Sequence, residues 1–432
     1  MFRFMHVADL HFGKELHGVE LVKEDQPFWA ERFLEAIDEE KPDAVVIAGD
    51  VYDTRNPDQE AILLFEHLIM ELAKRELYVF IVPGNHDSHV RLSIHTSLLE
   101  DKKIFIARNV EREIRHISTQ GDTPVTFWLL PYVYKKKVAS LLDREDIETY
   151  DDALAALMAE QKVDTSGINV LVAHQNVIAS SEDRPIAGGS ETAIIGGVGE
   201  VLSARFEDFD YVALGHIHRA QKVGRETVRY AGCPMYYDFS EINREKGITM
   251  VTVKDDGTVE SSFKEIFLPY YLYQADGTFD ELKVKGAEWA EKVRQERREL
   301  KEKGCPYEKK YYIKLIVKGD IPANGRDILE NLWEHEILNI MQVRTENAAD
   351  LSTYTPENLS GLDMTEQFAN MYKLMDKEGR DMNGLQRDIL NKTLELRDES
   401  GVLYDENAKI PDEVSEELLK AIEEMLDKGE KA

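Results

Sequence analysis

Cysteine is almost absent: Cys233 and Cys305 are the only two in 432 residues. They lie 72 positions apart and match no metal-binding spacing, which excludes a disulfide-stapled scaffold and leaves reduced, structural thiols. Long apolar runs are also missing, since nothing approaches the roughly 20 residues that cross a bilayer. The opening segment Phe2-Arg3-Phe4-Met5-His6-Val7 is too short for a signal peptide and has no small-residue cleavage site, so a cytoplasmic location is expected. Positive charge is scarce: 53 Lys and Arg against 83 Asp and Glu leave a net charge of −30. That excludes a broad basic face able to hold a nucleic-acid backbone unaided. Part of the deficit is local, because residues 345–432 hold 10 basic against 22 acidic side chains, a net of −12. Any nucleic acid has to meet a focused patch, metal ions or a partner. No internal repeat is found.

The length implies two or three domains. Buried strands are expected at Arg3–Val7, Ala44–Ala48, Tyr78–Val82, Asn169–Ala173, Tyr211–Leu214 and Ile248–Val253, where β-branched and apolar residues cluster. Apolar residues at three- and four-residue spacing predict helices over Gln26–Glu39 and Gln59–Arg75, so the first 90 residues read as a β-α-β-α-β unit with a parallel sheet. Fewer helices separate the later strands, which points to a mixed α/β sandwich. Residues 178–201 are rich in Gly and Ser and read as a surface loop near the mouth of a site. From Phe279 the pattern changes to a long charged helix, a strand at Tyr311–Val317, a helix at Arg326–Glu336 and a strand at Leu338–Val343, a small α+β domain. Beyond it the acidic tail predicts helices near 364–375, 385–397 and 412–426. Glu416, Leu418, Leu419, Ile422 and Leu426 set an apolar stripe on the last, which packs on its own domain or docks on a partner. The expected divisions are 1–275, 276–345 and 346–432.

Chemistry is concentrated where strands end. Asp9-Leu10-His11 follows the first strand, and in extended chain residues i and i+2 project to the same side. Alone this is a capping Asp and an exposed His. Gly49-Asp50 follows the second strand and Gly84-Asn85-His86-Asp87 the third, at the carboxyl edge where α/β sheets bind ligands. Each alone reads as a turn. Two later strands end in His174 and in Gly215-His216-Ile217-His218. Five successive strand ends bearing Asp, Asn and His make a dinuclear metal site the better explanation. His6, His17, His89 and His95 fit no such position, and His6 alternates with a core face.

The ordered set resembles the calcineurin-like metallophosphoesterase superfamily and, within it, the SbcD branch, the nuclease subunits of bacterial SbcCD complexes. Ala8-Asp9-Leu10-His11-Phe12-Gly13-Lys14 and Ala48-Gly49-Asp50-Val51-Tyr52-Asp53-Thr54 carry the likeness, with Phe239-Ser240-Glu241 after Gly232-Cys233-Pro234. It covers residues 1 to about 245 in motifs and the remainder only in layout. The resemblance implies a metallophosphoesterase β-sandwich flanked by helices, with a small α+β capping domain and a helical C-terminal tail. It implies that Asp9, His11, Asp50 and His218 hold one ion, and Asp50, Asn85, His174 and His216 the other. Asp50 would bridge, since a shared carboxylate offsets part of the repulsion between two close cations. Mixed carboxylate, imidazole and amide ligands suit Mn(II), and Fe or Zn as well; the resemblance favours manganese. His86 would stabilise the transition state or protonate the leaving oxygen, with Asp53 orienting it. Asp87 would cap or orient the same loop. Lys14, Arg55, Arg91 and Arg219 are candidates for steadying phosphates, although scattered basic residues are ordinarily just solvated.

The implied function is a DNA nuclease working with an SbcC-type coiled-coil ATPase, as a homodimer within a heterotetramer. Double-strand 3'-5' exonuclease action and hairpin opening, in DNA repair, recombination and replication, belong to that reading. The small domain would position DNA and the tail would dock on the ATPase. A stand-alone phosphodiesterase for a small nucleotide would use the same metals, since fold does not select substrate, but has no evident use for the extra domain and tail. A non-catalytic scaffold for the ATPase is the third reading, and the presence of every ligand gives it no support.

Overall fold

A computed structural model describes residues 1–345, apart from positions 95, 181, 187–198, 243, 320, 323 and 334–337. His95, most of the Gly-rich loop and the three tail helices expected from the sequence lie outside the described residues. Met1–Ile316 and Ile321–Val343 form one compact unit; Val317–Asp320 with Arg344–Ala432 form another.

The first unit opens with β1 (Phe2–Val7), α1 (Asp25–Glu40), β2 (Ala44–Ala48), α2 (Gln59–Lys74), β3 (Tyr78–Val82) and β4 (Ile104–Ile106). These four strands pair in parallel, with register Met5 to Val45 and Val45 to Val79. The helices read from spacing are there because each carries a buried stripe: Trp29, Phe33 and Ile37 on α1, Leu64, Leu68 and Leu72 on α2. Asp58 caps α2 by accepting from the Ala61 N–H.

A second series follows: β5 (His116–Ser118), β6 (Val125–Leu130), α3 (Lys135–Leu142), α4 (Tyr150–Ala159), β7 (Ile168–His174), β8 (Tyr211–Gly215), β9 (Gln221–Val223) and β10 (Arg225–Tyr230). Then β11 (Gly247–Val253) and β12 (Val259–Glu265) return to the first sheet, giving it the order β12-β11-β1-β2-β3-β4; the second runs β9-β10-β8-β7-β6-β5. The two sheets face each other across a layer containing Phe4, Val46, Phe80, Phe127, Val172 and Tyr211, in which the Phe80 and Phe127 rings stack at 4.0 Å. Trp29, Phe33 and Leu68 cover the outer side of the first sheet, and Val138, Leu154 and Leu157 that of the second. The result is the mixed α/β sandwich flanked by helices that the sequence implied.

The remainder of the unit is β13 (Tyr271–Gly277), α5 (Phe279–Glu302), β14 (Tyr311–Val317), α6 (Gly325–Trp333) and β15 (Leu338–Thr345), with the strands paired in that order. A capping box at Thr278 and Glu281 starts α5. This part is tied to α1: Asp25 accepts from the Tyr312 hydroxyl at 2.7 Å and pairs with Lys310 Nζ at 3.0 Å.

Candidate metal centre

Parallel pairing puts the carboxyl ends of β1, β2 and β3 at one edge of the first sheet, and those of β7 and β8 at one edge of the second. The two edges close on each other. Gly49, at φ +88°, leaves room for the His174 ring, with which a Cβ would collide, and a Cβ on Gly84 would strike the Asp50 carboxylate. Backbone bonds zip the first two strand ends together: Asp9 N to Gly49 O at 2.9 Å and His11 N to Asp50 O at 3.0 Å. Asp9, His11, Asp50 and His216 all have φ in the left-handed region, at 55°, 44°, 50° and 103°. Non-glycine residues adopt it at a cost of order 1–3 kcal/mol each, and such strain concentrates at functional sites.

All seven candidate ligands meet there. His11 Nε2 and His218 Nε2 are 3.2 Å apart. Asp50 Oδ2 stands between the two groups, 3.2 Å from His174 Nε2 and 3.8 Å from His11 Nε2. Asn85 Oδ1 is 3.2 Å from His174 Nε2 and 3.1 Å from His216 Nδ1. Ligand atoms of Asp9, His11 and His218 lie within 4.8 Å of one another, as do those of Asp9, Asp50 and His174. Asp9, His11, Asp50, His174 and His218 are buried, while Asn85, His86 and His216 are partly exposed and form the opening.

The protons test whether this set fits a cation. His174 Nδ1 lies 2.8 Å from the Ala48 carbonyl, which can only accept, so Nδ1 carries the hydrogen. In the neutral ring Nε2 is then a lone pair facing a carboxylate oxygen and an amide oxygen, both acceptors. Buried acceptors converging without donors are costly unless a positive charge sits among them. A proton is one such charge: burial works against the His174 imidazolium, but Asp50 and Asp9 outweigh it and lift its pKa to about 9. Burial raises Asp9 to about 7, with the nearby Asp50 charge adding to it and His174 opposing. The donor set suits divalent cations, the strongest replacement for those protons.

The remaining sequence candidates divide. His86 donates from Nδ1 to the backbone carbonyl of Asp53 at 2.7 Å, and its N–H donates to Asp50 Oδ1 at 2.9 Å. The Asp53 carboxylate, expected on His86, lies instead 3.1 Å from His11 Nδ1 and 2.9 Å from Lys14 Nζ. Asp53 thus turns its carbonyl, not its side chain, to His86. Asp87 accepts from the N–H groups of Gly84, Val51 and Tyr52 and ties two loops together. Arg55 donates to the Tyr134 hydroxyl, Arg91 to Asn56, and Arg219 is exposed beside His218.

Residues 2–220 match the calcineurin-like phosphoesterase family. The chain belongs to that family. It is 31% identical over 286 residues to the SbcD subunit of nuclease SbcCD from Staphylococcus epidermidis, a match spanning 65% of this chain and 74% of that one. The crystal structure of TT1561 of Thermus thermophilus aligns over 61% of this chain and 98% of its own, at 12% identity and a TM-score of 0.35, too slight a likeness to bear on the fold. This calcineurin-like phosphoesterase is a metal-dependent hydrolase of phosphate esters. No helix among its described residues is long and apolar enough to cross a membrane.

Sequence reasoning missed the side chains that brace the phosphoesterase centre from behind. Gln26 is fully buried, accepts from Gly13 N at 2.9 Å and donates to His11 O at 2.7 Å. Tyr237 donates its hydroxyl to Leu10 O. Glu241 stands 3.4 Å from His218 Nδ1. The signal available was a polar residue inside an otherwise apolar stripe, as Gln26 is on α1.

Proposed function

We propose that this phosphoesterase is a two-metal DNA nuclease subunit of the SbcD kind. The observation that carries the reading is the convergence of lone pairs from five strand ends on one partly open cleft. Asp9, His11, Asp50 and His218 would hold one ion, and Asp50, Asn85, His174 and His216 the other, with manganese favoured by the mixed ligand set. When bound, the ions withdraw charge from the phosphate and make a water acidic enough to attack near neutral pH. The chain's own residues do the rest. Asp50 keeps one carboxylate between both groups of imidazoles, and the Gln26 amide and Tyr237 hydroxyl keep the first loop from relaxing. His86, with its Nδ1–H committed to the Asp53 carbonyl, would give a proton from Nε2 to the leaving oxygen as the imidazolium, in which both ring nitrogens carry hydrogen. Lys14, Arg55, Arg91 and Arg219 are the basic candidates to steady a flanking phosphate, Arg219 being exposed and next in sequence to His218.

Similarity to the SbcD subunit of an SbcCD nuclease supports DNA as substrate and an SbcC-type ATPase as partner. An acidic chain suits a subunit whose partner supplies much of the DNA binding. Exposed Ile62, Leu63 and Met70 on α2, with Val90, Ile94 and Leu98 nearby in sequence, support homodimerisation within a heterotetramer. Exonuclease action from 3' ends, hairpin opening, a cytoplasmic setting and a role in repair, recombination and replication complete the reading.

The test is cleavage of an end-labelled DNA hairpin by the purified chain with Mn(II), alone and with the partner ATPase and ATP. Metal-dependent cutting is expected, falling about 10²- to 10⁴-fold in His86→Ala. Hydrolysis of a small phosphodiester with no DNA cut under any condition would overturn the nuclease reading in favour of a small-nucleotide phosphodiesterase.

A further inference from the structure

Behind His218 lies a group of charged side chains that the catalytic reading leaves unused. Glu241 is fully buried at the end of the turn Phe239–Glu241, and Lys246 is 4% exposed. Lys246 Nζ is 2.7 Å from Glu241 Oε2 and 2.8 Å from Cys233 Sγ. His218, Cys233 and Glu241 come close enough to suggest a third metal site, but the Lys246 ammonium occupies the place a cation would take. A buried ion pair costs several kcal/mol per charge in desolvation, and apolar packing is often as stable, so stability alone is a weak reason for it.

The carboxylate has a second oxygen, and that oxygen faces the metal centre. Glu241 Oε1 is 3.4 Å from His218 Nδ1, while His218 Nε2 is turned to His11 Nε2 at 3.2 Å. His11 repeats the arrangement on the opposite side. Its Nδ1 lies 3.1 Å from the Asp53 carboxylate, which is paired at 2.9 Å with Lys14. Each of the two facing imidazoles therefore has a carboxylate at Nδ1 and a lysine behind that carboxylate. His174 differs, with a neutral carbonyl at Nδ1.

Resting on the ligand assignment proposed above, we infer that Glu241, anchored by Lys246, is a positioning residue. It holds His218 as the Nδ1–H tautomer, with the Nε2 lone pair aimed at the ion that Asp9 and His11 share. A carboxylate at the distal nitrogen fixes ring rotation and makes the ligating nitrogen more basic, and losing such a partner costs about 10- to 100-fold in metal affinity. The anionic partners serve one ion and not the other, so the two metal positions differ in affinity.

Mn(II) titration of the full chain without substrate, followed by electron paramagnetic resonance and calorimetry, reads this directly. Glu241→Ala should weaken one of two binding steps by about 10- to 100-fold and leave the other alone, and Glu241→Gln, which keeps an oxygen in place, should recover part of the loss. The double variant Glu241→Ala, Lys246→Met removes both buried charges and provides a folded protein should the single variant unfold; it should show the same selective loss. Unchanged affinity at both steps, or equal weakening of both, in a folded variant would sink the proposal. If His218→Ala also left Mn(II) binding unchanged, the ligand assignment itself would fall, which separates that failure from failure of the role given to Glu241.

Discussion

At the scale of single residues, the clustering of the candidate ligands was legible because side chains suited to a metal are of few types and parallel strands deliver those types to one edge. Asp9, Asp50 and His174 stand at strand ends in sequence and in space alike. The partners of those ligands were not legible, because orientation depends on which atom of a residue faces which neighbour. Asp53 is the instructive case: three positions after Asp50 it serves His86 through its carbonyl and His11 through its carboxylate. Replacing the side chain alone should therefore separate the two contacts. Asp53→Ala is expected to keep the His86 contact, so that at saturating Mn(II) its kcat falls far less than that of His86→Ala, while the Mn(II) concentration for half-activity rises. Equal kcat losses for the two variants would show that the Asp53 carboxylate acts on His86 after all.

At the scale of elements, the strands of the sandwich read correctly from sequence are interior ones, covered on both faces: all five residues of Ala44–Ala48 are buried. Polar strands escaped. Val259–Glu265, at the edge of the first sheet, and Arg225–Tyr230, next to the edge of the second, carry mostly partly exposed or exposed residues, so their composition resembles a loop until a neighbouring strand supplies the pairing. The helix α1 shows a further property that periodicity hides. Its first turn grips two places at once, Asp25 holding Tyr312 and Lys310 of β14, Gln26 holding the backbone of His11 and Gly13. Gln26→Leu keeps the apolar stripe and volume but strands a buried carbonyl and a partly buried N–H, each costing about 1–3 kcal/mol. A lowered urea midpoint is expected, with weaker Mn(II) binding because the strained loop is released. An unchanged midpoint would mean that water replaces the amide without loss.

At the scale of the whole molecule, stability rests on two sheets pressed face to face, and His6 is a titratable group set in that interface. It lies on β1 in the alternation that buries Phe2, Phe4 and Ala8 between the sheets, and its Nδ1 is 3.2 Å from the Tyr211 hydroxyl of β8 in the opposite sheet. Burial, opposed by the Leu214 carbonyl and aided by the charge of Arg229, lowers its pKa from 6.5 to about 3. The folded protein therefore keeps His6 neutral at a pH where the unfolded chain has already taken up a proton. Above pH 6.5 this group contributes no pH dependence; as pH falls from 6.5 toward 3 the unfolded state binds the extra proton and stability is lost, by up to about 1.4 kcal/mol per pH unit. Urea midpoints measured between pH 7 and pH 4 should fall with that slope on top of the contributions of other groups. In His6→Gln, whose amide can still meet Tyr211, the part due to this residue should disappear. If the variant and the parent lose stability in parallel, His6 takes up its proton without opening the sandwich, and the acid sensitivity of the fold lies elsewhere.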